Sequence, residues 1–301
     1  MSIDLPEGFA ARPATREDAA TMLELIVAAE VHYDGIAEVD ASDIEMDFGR
    51  VGFDLATDCI VVLEDEEPVG WANVYRERAE ADVRPSHHRH GIGAAILRWT
   101  ETRGRETGAA KVAQTVTDNN ADAKALFLAN GYGPTWTSWI LEIAFDESPP
   151  EHRPPGGISI RTYEAGDAHD AYRLIDDAFG EWEGRDSMPF EEWATFVIEH
   201  QAFAPELSRL AFEGEELVGA TLAFDYAKSG EGWVQQVATK ATHRHRGIAR
   251  ALLSETFRAF YDRGKARCGL STESRTGALA LYERVGMQVR RSYTKYAKPL
   301  N

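Results

Sequence analysis

Arg244, Gly247 and Ala249 stand in the order Arg-x-x-Gly-x-Ala, where an apolar strand pattern runs through small residues into an amphipathic helix pattern. The first amides of a helix have no intrahelical partner, and the helix dipole places its positive end there, so such a turn can hold an anion. Gly247 and Ala249 keep bulk away from the backbone, which lets a phosphate approach the amides. Arg244 and Arg246 could add charge-assisted contacts, with His245 and Ile248 completing the turn. The spacing of Ile248, Leu252, Leu253 and Phe257 gives the following helix one apolar face.

The elements that must position this turn occur twice in the 301 residues. Arg12-Pro13 precedes a helical run, and Arg161-Thr162 does the same 149 positions later. Glu-Glu-Pro-Val-Gly ending at Gly70 returns as Glu-Glu-Leu-Val-Gly ending at Gly219. His-Gly-Ile-Gly around Gly91 returns as Arg-Gly-Ile-Ala around Gly247, and Asn130-Gly131-Tyr132 returns as Val285-Gly286-Met287. Landmarks in constant order at near-constant offset mark an internal repeat. The offset grows by about seven residues, placing an insertion around 227–232 in a hairpin of the second copy. Four prolines within 148–157 break any ladder or helix, so this stretch reads as a semi-rigid linker. The expected organisation is a domain over 1–147, a linker over 148–157 and a domain over 158–301. In each copy, strand–helix–strand–strand–strand leads into helix–strand–helix–strand, with Thr137–Phe145 as the last strand of the first copy. This is an α+β fold, with a mixed, mostly antiparallel sheet flanked by helices.

The Arg244-x-x-Gly247-x-Ala249 turn resembles the pyrophosphate-binding signature of the GNAT superfamily of N-acetyltransferases, (Arg/Gln)-x-x-Gly-x-(Gly/Ala). The stretch 277–287, Gly-Ala-Leu-Ala-Leu-Tyr-Glu-Arg-Val-Gly-Met, resembles a second motif of that superfamily. The resemblance implies two tandem GNAT domains and acetyl-CoA as co-substrate. It implies that Val237 and Thr239 offer backbone groups to the pantetheine arm, and that amides from Arg246 to Ala249 hold the pyrophosphate. Tyr282 matches the tyrosine that gives a proton to the departing thiolate. An alkylamine has a pKa of about 10.4 and must lose a proton before it attacks. Asp225, Glu231 and Glu273 are the candidate bases. Glu273 is favoured because it ends the strand facing the turn before the Tyr282 helix.

The first copy departs from the pattern. Its turn keeps Gly91 and Gly93, but His88 stands at the leading position, where imidazole is mostly neutral at pH 7. Phe127 replaces the tyrosine and has no proton to give. The expectation is a first copy without catalysis that offers a weak second CoA site at Val83, Arg89, Gly91 and Gly93. Nearby histidines lack further ligands at metal spacing, so no metal is expected. A tandem with one impaired copy resembles mycothiol synthase and its relatives, whose acceptor is the amine of a cysteinyl sugar. The implied partner is a small-molecule or peptide amine. Ser274-Arg275-Thr276 departs from the asparagine usual in the family, which bears on the acceptor.

Composition bounds the alternatives. With 32 Lys and Arg against 50 Asp and Glu, the net charge is −18, opposite to the basic surface that nucleic acid requires. Such a field favours cationic small molecules. No run reaches the roughly 20 apolar residues of a membrane span, and the N-terminus lacks a secretory signal, so a cytoplasmic protein is expected. Cys59 and Cys268 read as small core residues. The competing function is a non-catalytic CoA-binding or regulatory tandem, distinguished by acetyl-CoA that binds but is not consumed.

Overall fold

A computed structural model describes residues 3–37, 39–182, 187–226 and 230–300. The insertion expected around 227–232 falls partly outside these residues. In chain order the elements are β1 (Phe9–Pro13), α1 (Ala19–Asp34), α2 (Ala41–Phe48), α3 (Leu55–Asp58), β2 (Cys59–Glu64), β3 (Glu67–Tyr75), β4 (Arg78–Val83), α4 (Ile92–Glu106), β5 (Lys111–Thr117), α5 (Ala121–Ala129) and β6 (Gly133–Ala144). There follow β7 (Ile158–Thr162), α6 (Ala168–Gly180), α7 (Phe190–Phe196), β8 (Arg209–Glu213), β9 (Glu216–Tyr226), β10 (Glu231–Thr239), α8 (Ile248–Asp262), β11 (Arg267–Glu273), α9 (Leu279–Arg284) and β12 (Gln288–Pro299).

The chain forms two compact units, one of residues 1–137 with 291–301 and one of residues 138–290. In unit 1 the strands run β1-β2-β3-β4-β5-β12, and in unit 2 they run β7-β8-β9-β10-β11-β6. Each sheet is therefore completed by the last strand of the other sequence repeat. Tyr293 to Pro299 of β12 pair antiparallel with Thr117 to Lys111 of β5, and Ser138 to Ala144 of β6 pair with Glu273 to Arg267 of β11. The sequence reading closes the first copy with its own strand. Strand pairing is non-local, and both terminal strands present similar half-buried patterns, so local sequence does not say which sheet each joins. The 148–157 segment carries no helix or strand. It is tied to α8: Ser254 Oγ donates to Pro150 O at 2.6 Å, and the His152 amide donates to Ser254 Oγ at 3.1 Å.

Both repeats start with the same ionic lock. In unit 1 the Arg12 guanidinium grips Asp18 at 2.8 and 2.6 Å, while Asp18 also accepts the Thr15 amide at 2.8 Å. In unit 2 Arg161 grips Asp167 at the same two distances, and Asp167 accepts the Glu164 amide at 2.7 Å. A carboxylate that accepts an amide at a helix start satisfies one of its orphan donors. From there α1 lays Met22 and Leu25, at helical spacing, into a cluster with Cys59, Val61 and Trp71. The same face of unit 2 buries Leu174 and Ile175 of α6 and Trp193 of α7 against Leu210, Ala220 and Leu222. On the opposite face, α8 buries Leu253, Phe257 and Phe260 against Leu141, Val234 and Leu270.

Candidate functional site

In unit 2, β10 runs beside β11 in parallel for three residues, Glu231 to Trp233 against Arg267 to Gly269. Its pairing with β9 is broken by a bulge between Val234 and Gln236. A bulge adds local twist and bends its strand, and beyond it Val237, Ala238 and Thr239 pair with β9 alone. This leaves a wedge between β10 and β11 in which one edge of β10 is open. The hydroxyl of Thr239 is buried without a partner among the described residues. Such an orphan is a group that an inserted ligand can satisfy.

The turn after Thr239 is held rigidly. His245 has φ 62° and Gly247 φ 90°, both left-handed, so successive amides turn toward the start of α8. Such a backbone nest at a helix N-terminus is of the kind that can hold an anion. The side chains brace the loop rather than offer free charge. Arg244 Nε donates to Thr239 O at 3.3 Å, and its NH1 meets Glu181 Oε2 at 2.6 Å. Arg246 and His243 both bond the carboxylate of Glu213, at 2.6 and 3.0 Å. Hydrogen bonds from Arg246 and then His243 pull the Glu213 carboxyl down to about 2.

Unit 1 repeats this loop residue for residue. Arg89 has φ 64° and Gly91 φ 85°, and α4 begins at Ile92. His87 Nε2 lies 2.9 Å from Glu64, as His243 does from Glu213. His88 Nε2 lies 2.9 Å from Val83 O, the position Arg244 takes on Thr239. The imidazole at the leading position thus does the bracing that the guanidinium does in unit 2. The weak site expected at Val83, Arg89, Gly91 and Gly93 lines a cavity of about 430 Å³, with Asp82, Gln114 and Phe127. Arg89 pairs with Asp122 at the start of α5.

Tyr282 lies on α9, 7% exposed, in the cluster of Phe257, Val285 and Met287. Burial pushes its phenol up to about 12, so the ring keeps its proton at neutral pH. Glu273 ends β11, and its carboxylate is held by Arg275. Asp225 is paired with Lys265, and Glu231 lies 3.1 Å from Arg290. Each of the three candidate bases of unit 2 therefore has a cationic partner. The sequence reading missed Asp82 on β4, whose carboxyl burial pushes up to about 7. An Asp before a glycine turn carries no motif, and its position across from Trp71 emerges from strand register. Among the described residues no three His, Cys, Asp or Glu side chains converge as metal ligands. No helix there is long and apolar enough to cross a membrane.

Comparison with known proteins agrees with this geometry. The model of the acetyltransferase (GNAT) family matches residues 23–132 and 168–287, once per repeat. A mycothiol acetyltransferase of Catenulispora acidiphila is 28% identical over 225 residues, covering 72% of this chain and 71% of the relative. That of Clavibacter sepedonicus is 26% identical, covering 74% and 75%. A solved GCN5-related N-acetyltransferase from Sphaerobacter thermophilus superposes with a TM-score of 0.80 at 31% identity, covering 99% and 98%. A tandem GNAT protein of the clavulanic acid biosynthesis pathway shares the fold, with a TM-score of 0.68 at 14% identity.

Proposed function

Since the chain belongs to the GNAT acetyltransferase family, we propose that it moves an acetyl group from acetyl-CoA to a primary amine of a small molecule or peptide, by direct attack in a ternary complex. The observation that carries this reading is the left-handed turn at His245 and Gly247 that opens α8 directly after the unpaired end of β10. The amides from Arg246 to Ala249 would hold the pyrophosphate, and the open edge at Val237 and Thr239 would bond the pantetheine arm. Arg244 keeps the turn in shape.

In unit 2 the amine attacks the thioester carbonyl and the thiolate departs. Tyr282 is the proton donor for that thiolate, with a phenol that no described residue bonds and that burial keeps protonated. Holding both reactants in one wedge removes a large part of the entropic barrier, up to about 7–11 kcal/mol in ideal cases. Glu273 remains the candidate base of this unit and would act once Arg275 is displaced. The curated relatives are named for acetylation in mycothiol metabolism, which favours a small, amine-bearing acceptor. The domains of this reading are the two sequence repeats joined through 148–157, each completed by a strand of the other.

Turnover tests the proposal. Acetyl-CoA mixed with a panel of primary amines should release free thiol in step with acetylated amine. Acetyl-CoA that binds and is not consumed across the panel would replace it with the non-catalytic reading.

A further inference from the structure

Two residues that line the unit 1 cavity differ in charge behaviour from their counterparts in unit 2. On the β3–β4 ladder Trp71 stands opposite Asp82, and Asn73 opposite Glu80. The same register in unit 2 pairs Ala220 with Ala238, so Ala238 stands where unit 1 has Asp82. In the glycine turns His88 stands where unit 2 has Arg244. Asp82 and His88 both line the cavity of about 430 Å³. Unit 2 therefore has an uncharged side chain at one place and a fixed cation at the other, since a guanidinium keeps its proton. Unit 1 has a titratable group at both.

The contacts of His88 admit either charge state with the ring in place. Its Nε2 lies 2.9 Å from Val83 O, and a carbonyl only accepts, so Nε2 carries a proton in both states. Its Nδ1 lies 3.3 Å from Tyr33 Oη, and a phenol can donate to a bare nitrogen or accept from a protonated one. The Tyr33 ring lies parallel to the imidazole, with His32 edge-on. Neither hydrogen-bond partner of His88 is a carboxylate, so a proton on the ring adds positive charge to the cavity.

Asp82 bonds the Trp71 indole at 3.2 Å. Burial raises its carboxyl to about 7, with Glu80 on its own strand and Glu30 on α1 adding and the Trp71 bond opposing. An imidazole ordinarily changes charge between about pH 5 and 8. The other ionisable groups along the cavity have partners. Arg89 is paired with Asp122 on α5, and His87 Nε2 lies 2.9 Å from Glu64. Burial, then Asp122 and Asp82, push the Tyr33 phenol up, so it keeps its proton. As pH rises through neutrality the cavity loses positive charge at His88 and gains negative charge at Asp82. Both changes repel an anion.

We propose that unit 1 is a pH-gated cofactor site, which holds the polyanion acetyl-CoA while His88 and Asp82 are protonated and releases it when both lose their protons. The inference rests on the acetyl-CoA reading of this fold and adds a regulation that unit 2 is not built to share. Linkage fixes the sign: a ligand that prefers the protonated forms binds more weakly as pH rises. A chain loaded in both units under mild acid sheds cofactor from unit 1 first as the medium turns alkaline.

The test is calorimetric titration of acetyl-CoA into two full-length variants at about pH 6 and about pH 8, either side of the ordinary imidazole transition. Gly247→Glu leaves the unit 1 turn intact, and Gly91→Glu leaves the unit 2 turn intact. The phosphates of acetyl-CoA also titrate, and Gly91→Glu supplies the reference for that contribution. From the lower to the higher pH, Kd in Gly247→Glu should rise about tenfold or more beyond its change in Gly91→Glu, the scale of one charge-assisted contact. Adding His88→Arg and Asp82→Ala, the residues of unit 2, to Gly247→Glu should bring the two ratios within about twofold of each other. Binding retained at the lower pH shows that this variant folds. Equal ratios in the two single variants, or a ratio that the added substitutions leave in place, would overturn the gate. Binding by Gly91→Glu with none by Gly247→Glu at either pH would also overturn it, and would leave the acetyl-CoA reading standing for unit 2. No binding by either variant or by the wild type would remove that reading, and the gate with it.

Discussion

Arg244 Nε donates to the carbonyl oxygen of Thr239 at 3.3 Å, closing the turn between the open end of β10 and the first amides of α8. In the structure the same guanidinium also braces the turn, with Glu181 on its far side. Removing it should loosen the nest without deleting an amide. Arg244→Ala is expected to raise the acetyl-CoA Kd about tenfold, in line with the roughly 1–1.5 kcal/mol of a braced hydrogen bond. A Kd unchanged by this substitution contradicts the role given to the turn.

Tyr282 is the group whose loss separates packing from chemistry. Tyr282→Phe keeps the ring volume in the cluster with Phe257 and Met287, so thermal stability should barely change. Loss of the proton donor should lower kcat by about 10² or more at unchanged acetyl-CoA affinity, the scale of general acid catalysis. An intact kcat would return Tyr282 to the core alone.

The Arg12–Asp18 lock gives a pH-dependent contribution of known sign. The Arg12 hydrogen bond, against some burial, holds the Asp18 carboxyl below its ordinary value. A carboxyl lowered in the folded state stabilises above the unfolded value of about 3.9. That contribution is lost as pH falls through the lower folded value. Asp18→Asn should therefore cost about 1–2 kcal/mol at pH 7, as for a charge-assisted hydrogen bond. The gap in Tm from wild type should narrow below about pH 4. A gap independent of pH would show that the lock acts through shape alone.

Asp82 has the opposite sign. Burial, with the charges of Glu80 and Glu30 adding and the Trp71 bond opposing, raises its carboxyl to about 7 in the folded state. The folded protein then holds a proton that the unfolded chain has released. Stability is accordingly lost as pH rises from about 4 toward 7. Asp82→Asn, which cannot ionise, should gain in Tm relative to wild type across that window and hold a constant advantage above it. Thermal melts at four or five pH values read this directly, and a difference that is flat from pH 4 to 8 would contradict the burial of this carboxyl.

The fold was legible because it was written twice. Gly70 and Gly219 lie inside β3 and β9, where a Cβ would crowd a neighbouring element, and Gly91 and Gly247 mark left-handed turns, a match that extends to positive φ at Arg89 and His245. The His–Glu braces could also have been read, since Glu64 and Glu213 stand at equivalent places in the repeat, as do His87 and His243. Two features could not. The exchange of β6 and β12 between sheets is a non-local choice that alternation within a strand does not encode. The square of Trp71, Asn73, Glu80 and Asp82 depends on cross-strand register, which turns four residues scattered over 71–82 into neighbours. Sequence reasoning weighed the first copy by its missing tyrosine and arginine, and so passed over the carboxylate that the second copy lacks.

The most direct test of the account is the stoichiometry of acetyl-CoA binding by calorimetric titration, in wild type and in Gly247→Glu. A side chain at Gly247, where φ is 90°, forces a strained left-handed residue and sets a carboxylate on the nest. The account predicts two sites per wild-type chain, because both loops are built alike, and one site in Gly247→Glu. No binding by the wild type, or binding untouched by the substitution, would contradict the claim that these turns hold the cofactor.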